Sequence, residues 1–252
     1  MTDRRWRLRL AIGLLIASTA MYTIQFLIFH DARSIFVYLI GNIAFVPIQV
    51  LLVTMVMNEL LERRAKRDLL HKLNMVIGAF FAEMGTDLLA TFATYDAAVD
   101  EVRDDLVAQP GWNDRRFADA QAKIAHHDFK IDARNGDLGA LKTYLSEKRA
   151  FLLRLLENQN LLEHESFTDT LWAIFHVADE LEHRTDLGAL PSSDLAHLSG
   201  DIKRAYAALA GQWLGHLQHL KSQYPYLFSL AVRTNPFDSS ARVEVTTGSA
   251  GK

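Results

Sequence analysis

Residues 10–29 read LAIGLLIASTAMYTIQFLIF and residues 35–58 read IFVYLIGNIAFVPIQVLLVTMVMN, runs of 20 and 24 positions without a charged side chain. At about 1.5 Å of rise per residue, either run coiled as a helix covers the roughly 30 Å of a bilayer's hydrocarbon. Two transmembrane helices are therefore predicted. Only His30 to Ser34 separate the runs, so an antiparallel hairpin is expected. Its direction follows from the basic residues. Arg4, Arg5, Arg7 and Arg9 precede the first run, Arg63, Arg64, Lys66 and Arg67 follow the second, and Arg33 stands alone between them. Such flanks suit anionic lipid headgroups on the cytoplasmic side, which places both termini in the cytoplasm of a multi-pass inner-membrane protein. The basic start and the small residues from Ala17 to Ala20 also suit a signal peptide. The apolar run continues past any plausible cut, from Tyr22 to Phe29, and this favours a retained anchor.

The rest of the chain differs in character. Residues 1–72 carry 10 Lys and Arg against 5 Asp and Glu, whereas residues 73–252 carry 17 against 25. An acidic body argues against nucleic acid as a partner. The absence of cysteine excludes thiolate catalysis, Cys-ligated zinc and iron-sulfur clusters. No segment has a nucleophile on a strained turn beside a base, and no glycine-rich phosphate loop is present. No cofactor is expected.

Within the apolar runs, Gln25, Asn42 and Gln49 need polar partners. They are expected either to bond helix to helix or to line a hydrated pore formed by several subunits. Pro47 is expected to kink the second helix. Beyond Arg67, Leu73, Ile77, Phe80, Met84, Leu88, Phe92 and Tyr95 recur every three or four residues, which predicts an amphipathic helix continuous with the second span. Glu83 and Asp87 lie beside this stripe and could draw cations to a pore mouth; they also make a third membrane span costly. Gly78 and Gly85 share the face opposite the stripe and would admit another helix.

Further on, the pattern is less regular from Ala97 to Ile131, with turns at Pro110-Gly111 and Asn135-Gly136 and a break around His126 and His127. Asp137 caps a helix through Leu155, and Ser166 with Asp169 resembles a capping box for a helix carrying Phe167, Leu171, Ile174, Ala178 and Leu181. The longest periodic run extends from Leu195 to Tyr224. The predicted fold is all-α. A transmembrane hairpin with its basic juxtamembrane segment fills 1–72, a cytosolic helical bundle fills 73–237, and a disordered tail follows over 238–252.

Two histidine groups bear on chemistry. His176, Glu180 and His183 fall on one helix face and contain one Glu-x-x-His unit, a spacing that can present ligands to a divalent metal. No second such unit exists, and this face lies opposite the apolar stripe, so a solvated polar face is the competing reading. His216 and His219 sit on the longest helix, with Asp194 and His197 at its start. His216 borders the stripe as a core-edge histidine would.

The segments Asn160–Asp169 and Tyr224–Phe237, and Phe36–Asn58 leading into Leu73–Phe81, resemble a prokaryotic family of two-span membrane proteins without an established activity. That resemblance implies a bacterial or archaeal membrane protein and no particular chemistry. The Asn235-Pro236-Phe237 tripeptide reads as a helix-ending turn. Taken together, these features predict a non-enzymatic, membrane-anchored sensor or scaffold that works through its acidic cytosolic bundle, with lipid, a second copy of itself and a cytosolic protein as partners. A homo-oligomeric ion channel and a metal-binding bundle are the alternatives.

Overall fold

The computed structural model describes residues 2–158, 161 and 165–244. The side chains of Arg4, Arg5 and Arg7, most of the Asn160–His164 stretch and residues 245–252 of the expected tail lie outside the described residues. Apart from one isolated bridge between Asp96 and Ile131, the described residues form helices and turns. The chain divides into two units, Met1–Lys66 and Arg67–Lys252.

The first unit holds α1 (Thr2–Phe29) and the start of α2 (Ala32–Phe80). Both are long and apolar enough to cross a membrane by length and composition. The link is only His30-Asp31, shorter than the five residues expected, because α2 begins at Ala32, before the apolar run does. His30 takes φ 51° and its N–H bonds Phe26 O at 2.9 Å, while Asp31 Oδ1 accepts from Arg33 N at 2.9 Å and caps α2. Pro47 lies inside α2, which continues through it. Large apolar side chains are exposed along both helices, among them Leu15 at 69% and Ile40 at 66%. Gln25 is half-buried, whereas Asn42 and Gln49 are exposed. Among the described residues none of these three amides has a hydrogen-bond partner, so the expected helix-to-helix bonds are not made within the single chain.

The second unit is a bundle centred on α8 (Ser192–Gln223). Around α8 pack α3 (Thr86–Ala93), α5 (Asp114–His126), α7 (Glu165–Glu182) and α9 (Pro225–Arg233), and α6 (Leu138–Leu156) packs on α7. The short α4 (Arg103–Leu106) leads into α5. Side chains at i, i+3 and i+4 supply one continuous core, with Phe80, Leu88, Phe92, Phe167, Ile174, Tyr206 and Leu209 fully buried. Residues 73–95 thus contribute an internal wall of the bundle, and their stripe faces protein rather than lipid.

Between α2 and α3 the chain makes one π-helical turn, Phe81–Gly85. The wider turn shifts the helical phase, which lets the adjacent Phe80 and Phe81 both be buried. Gly85 lies inside this turn, where a Cβ would come within 2.6 Å of Phe80 and 2.7 Å of Phe81. It is therefore a packing glycine, not part of an outward helix-docking face. Gly78 has more room, with only His216 Cε1 at 3.7 Å from an added Cβ.

Capping residues fix several boundaries. Asn113 Oδ1 accepts from Arg116 N and Asp137 Oδ1 accepts from Ala140 N, both at 2.9 Å. Helix α7 begins at Glu165, so Ser166 lies inside it, and its hydroxyl accepts from Gln212 Nε2 at 3.1 Å. Asp105, buried on α4, is bound by Arg116 at 2.8 Å and by Lys123. Burial pushes its carboxyl up, and the two cations outweigh that and hold it below the usual carboxylate range. At the C-terminal end, Asn235 is buried and donates to Leu106 O at 3.0 Å, and Arg103 donates to Phe237 O at 2.6 Å. The expected turn at Asn235–Phe237 is present and is a buried latch. The tail keeps local order through residue 240, where Asp238 Oδ1 accepts from Ser240 N at 2.8 Å.

Candidate metal centre

Helices α7 and α8 run antiparallel: Ser166 meets Gln212, His176 meets Asp201, Glu180 meets His197 and Arg184 meets Asp194. Each residue gained along one helix is a residue lost along the other. On α7, His176 and Glu180 are four apart; on α8, His197 and Asp201 are four apart. Residues at i and i+4 share a helix face, so the two pairs meet across the seam. One nitrogen or oxygen from each of the four lies within 4.8 Å of the others.

The individual separations are informative. His176 Nε2 is 3.5 Å from Asp201 Oδ2 and 3.8 Å from Glu180 Oε1; His197 Nε2 is 3.2 Å from Asp201 Oδ2 and 3.6 Å from Glu180 Oε2. Donor atoms at about 2.0–2.2 Å from a tetrahedral ion are separated by roughly 3.3–3.6 Å, since a tetrahedron's edge is about 1.6 times its radius. The four imidazole–carboxylate separations lie near that range, with both oxygens of Glu180 taking part, and the wider set spans up to 4.8 Å. Asp201 is 3% exposed, and its Oδ2 has no hydrogen-bond partner although two imidazole nitrogens lie near it. An unsatisfied buried carboxylate oxygen is costly unless a cation or donor meets it.

A second layer of charge orients the carboxylates. Arg184, largely buried, spans Glu180 Oε2 and Asp194 at 2.7 Å each. This hydrogen bond holds the Glu180 carboxyl below its ordinary range, and the same guanidinium lowers Asp194. Arg204 approaches Asp201 Oδ1 at 3.2 Å and leaves Oδ2 for the centre. Such outer contacts fix the direction in which a ligand presents its lone pairs.

The sequence-predicted trio is only partly assembled. His176 and Glu180 belong to the cluster, but His183 does not; its Nδ1 lies 2.8 Å from Asp179 O, one turn beyond the site. His176 faces α8 and is partly exposed, not wholly solvated. His197 and Asp201 complete the group, and the signal for them was the His-x-x-x-acid spacing repeated on both helices. Glu83 is exposed and ion-paired with Lys148 of α6 at 2.7 Å, which holds its carboxyl below the usual range, and Asp87 is exposed on α3. Arg63 pairs with Glu59 at 2.5 Å, and Arg9, Arg64, Lys66 and Arg67 are exposed.

Residues 69–233 match a family model described as "Uncharacterized protein MJ1433, C-terminal helical domain", and residues 2–61 match the corresponding N-terminal helical domain. A relative from Methanocaldococcus jannaschii, "Uncharacterized protein MJ1433", is 46% identical over 241 residues, covering 96% of this chain and 97% of its own length. No solved structure matches. With both helical domains matched and nearly the whole length shared with the archaeal relative, the chain belongs to the MJ1433 family.

Proposed function

We propose that this protein is a membrane-anchored helical sensor whose bundle binds one divalent transition-metal ion between α7 and α8. The observation that carries the reading is the convergence of one ligand atom each from His176, Glu180, His197 and Asp201 within 4.8 Å of one another, beside a buried Asp201 Oδ2 that accepts no hydrogen bond. Two imidazoles with two carboxylates suit zinc, iron, cobalt or manganese better than calcium or magnesium, which take oxygen ligands almost exclusively. Ligands drawn from two helices make binding a clamp on the α7–α8 seam. An ion there would hold the two helices together near the 183–191 connection and present a changed surface to a partner.

The anchor rests on the two long apolar helices with exposed side chains and on the basic residues that flank them. Lipid satisfies that surface far better than water. Asn42 and Gln49, exposed without partners, suit contact with a second copy in the membrane. Sensing is assigned to the bundle, whose acidic balance suits a basic protein partner in the cytosol. Both termini lie on that side in this reading.

The test is metal analysis of the untagged full-length protein in nanodiscs. One cobalt or zinc ion per chain is expected, with the intense visible bands of tetrahedral cobalt, and His197→Ala should remove both signals. Absence of stoichiometric metal after incubation with zinc and with cobalt would reject the proposal.

A further inference from the structure

Away from the α7–α8 seam, the bundle has a cavity of about 400 Å³ between the Asn74–Thr86 segment, the end of α8 and α9. That volume is within the roughly 300–1,000 Å³ usual for small-molecule sites. Its walls include Gly78, Phe81, Trp213, His216, Leu227 and Leu230, and no Asp, Glu, Lys or Arg lines it. Leu227 and Leu230 are also among the exposed apolar side chains, at 40% and 42%, so the rim is apolar as well.

Two buried polar side chains belong to its walls. His216 is 8% exposed, lines the cavity and stacks on Phe81 with ring centroids 4.8 Å apart. Trp213 is 2% exposed and its indole N–H is buried without a partner. Burial keeps the imidazole neutral, with its pKa pushed down to about 4, so it offers one donor and one acceptor and no charge. A buried indole N–H without a partner beside a neutral imidazole at the cavity wall marks this as the polar end of the cavity.

We infer that this cavity is a binding site for an uncharged amphiphile, an apolar chain bearing a carbonyl or hydroxyl group that hydrogen-bonds His216. A charged headgroup would find no counter-ion among the walls, and a plain hydrocarbon would leave the imidazole unpaired. Gly78 controls the space. An added Cβ there meets only His216 Cε1, at 3.7 Å, and Gly78 lines the cavity, so a larger residue at this position takes up cavity space.

The experiment uses full-length protein in nanodiscs, with ¹⁵N-labelled histidine and tryptophan and three probes of equal chain length: methyl decanoate, decanoate and decane. The expected result is a saturable shift of the His216 and Trp213 side-chain resonances with methyl decanoate, at an affinity about tenfold above that for decane, as one net hydrogen bond allows. Decanoate should bind more weakly than the ester. Gly78→Leu should abolish the response, whereas His216→Phe, which keeps the stacked ring, should retain binding but lose the preference for ester over decane. Equal responses to all three probes, or an unchanged response in Gly78→Leu, would overturn the inference. A change of oligomeric mass in Gly78→Leu without any ester response would overturn it in favour of a second chain as occupant.

Discussion

His216 has exchanged water for the face of Phe81, and this gives the bundle a specific acid sensitivity. Burial disfavours its cation, with repulsion from His219 adding to the effect, and the folded pKa falls to about 4 from an ordinary 6.5. Between those values the unfolded chain binds a proton that the folded chain refuses, so stability falls as pH drops through that window. The loss from this residue approaches about 3 kcal/mol near pH 4, from about 1.4 kcal/mol per pKa unit. Urea denaturation of wild type and His216→Phe at pH 7 and pH 4.5 checks it: the variant should lose distinctly less stability on acidification, and equal losses would contradict the assignment. Gly136 is a second single-residue constraint. A Cβ there would lie 2.4 Å from the buried Tyr95 ring, so Gly136→Ala should lower stability by about 1–3 kcal/mol, the usual cost of overpacking, read as a lower denaturation midpoint.

At the scale of elements, caps and seams dominate. Asp137→Ala removes the side-chain acceptor for Ala140 N and should cost about 1 kcal/mol, measurable by the same denaturation. The metal clamp predicts a larger change. Zinc at a hundred times its Kd should stabilise the bundle by about 2.7 kcal/mol in wild type and far less in Asp201→Asn, with slower amide exchange in both α7 and α8. The Asp137 cap, the long periodic α8 and the helix from Leu73 were legible in the sequence because each combines a boundary residue with a strong 3.6-residue period. Helix α5 was not, because it buries only Phe117, Ala120 and Ile124 on an otherwise polar cylinder. The π-turn at Phe81–Gly85 left no periodic mark, since one wide turn merely shifts the phase of the stripe. Half of the candidate site was readable for a related reason: spacing along α7 reveals which side chains share a face, but not which face of α8 will oppose them. That register is set by the packing of α7 on α8 along their length, and it brought in His197 and Asp201 where His183 had been expected.

For the whole molecule, the contrast between the units sets solution behaviour. Residues 67–244 contain a complete core, while residues 9–58 expose apolar side chains along their length. Full-length protein should therefore require detergent or lipid to stay dispersed. A fragment spanning 67–244 should remain soluble without either and unfold cooperatively by circular dichroism. Aggregation of that fragment would show that the bundle depends on the preceding helices. The division into an apolar front and an amphipathic body was visible in charge and hydropathy alone, because a 20-residue uncharged run has few soluble counterparts. How the body packs depended on contacts between residues far apart in sequence, which no local pattern encodes.

The latch at Asn235 has a consequence in time. Its bond reaches back 129 residues to Leu106, and the Phe237 carbonyl reaches back 134 to Arg103. At roughly 5–20 residues per second of synthesis, the Leu106 carbonyl waits about 6–26 s for its partner to be made. During that interval α1 and the apolar half of α2 have already emerged, while the surface of Tyr206 that Phe237 will cover is still bare. Birth order thus separates two hazards, because the long apolar helices are complete well before the acidic body is able to close.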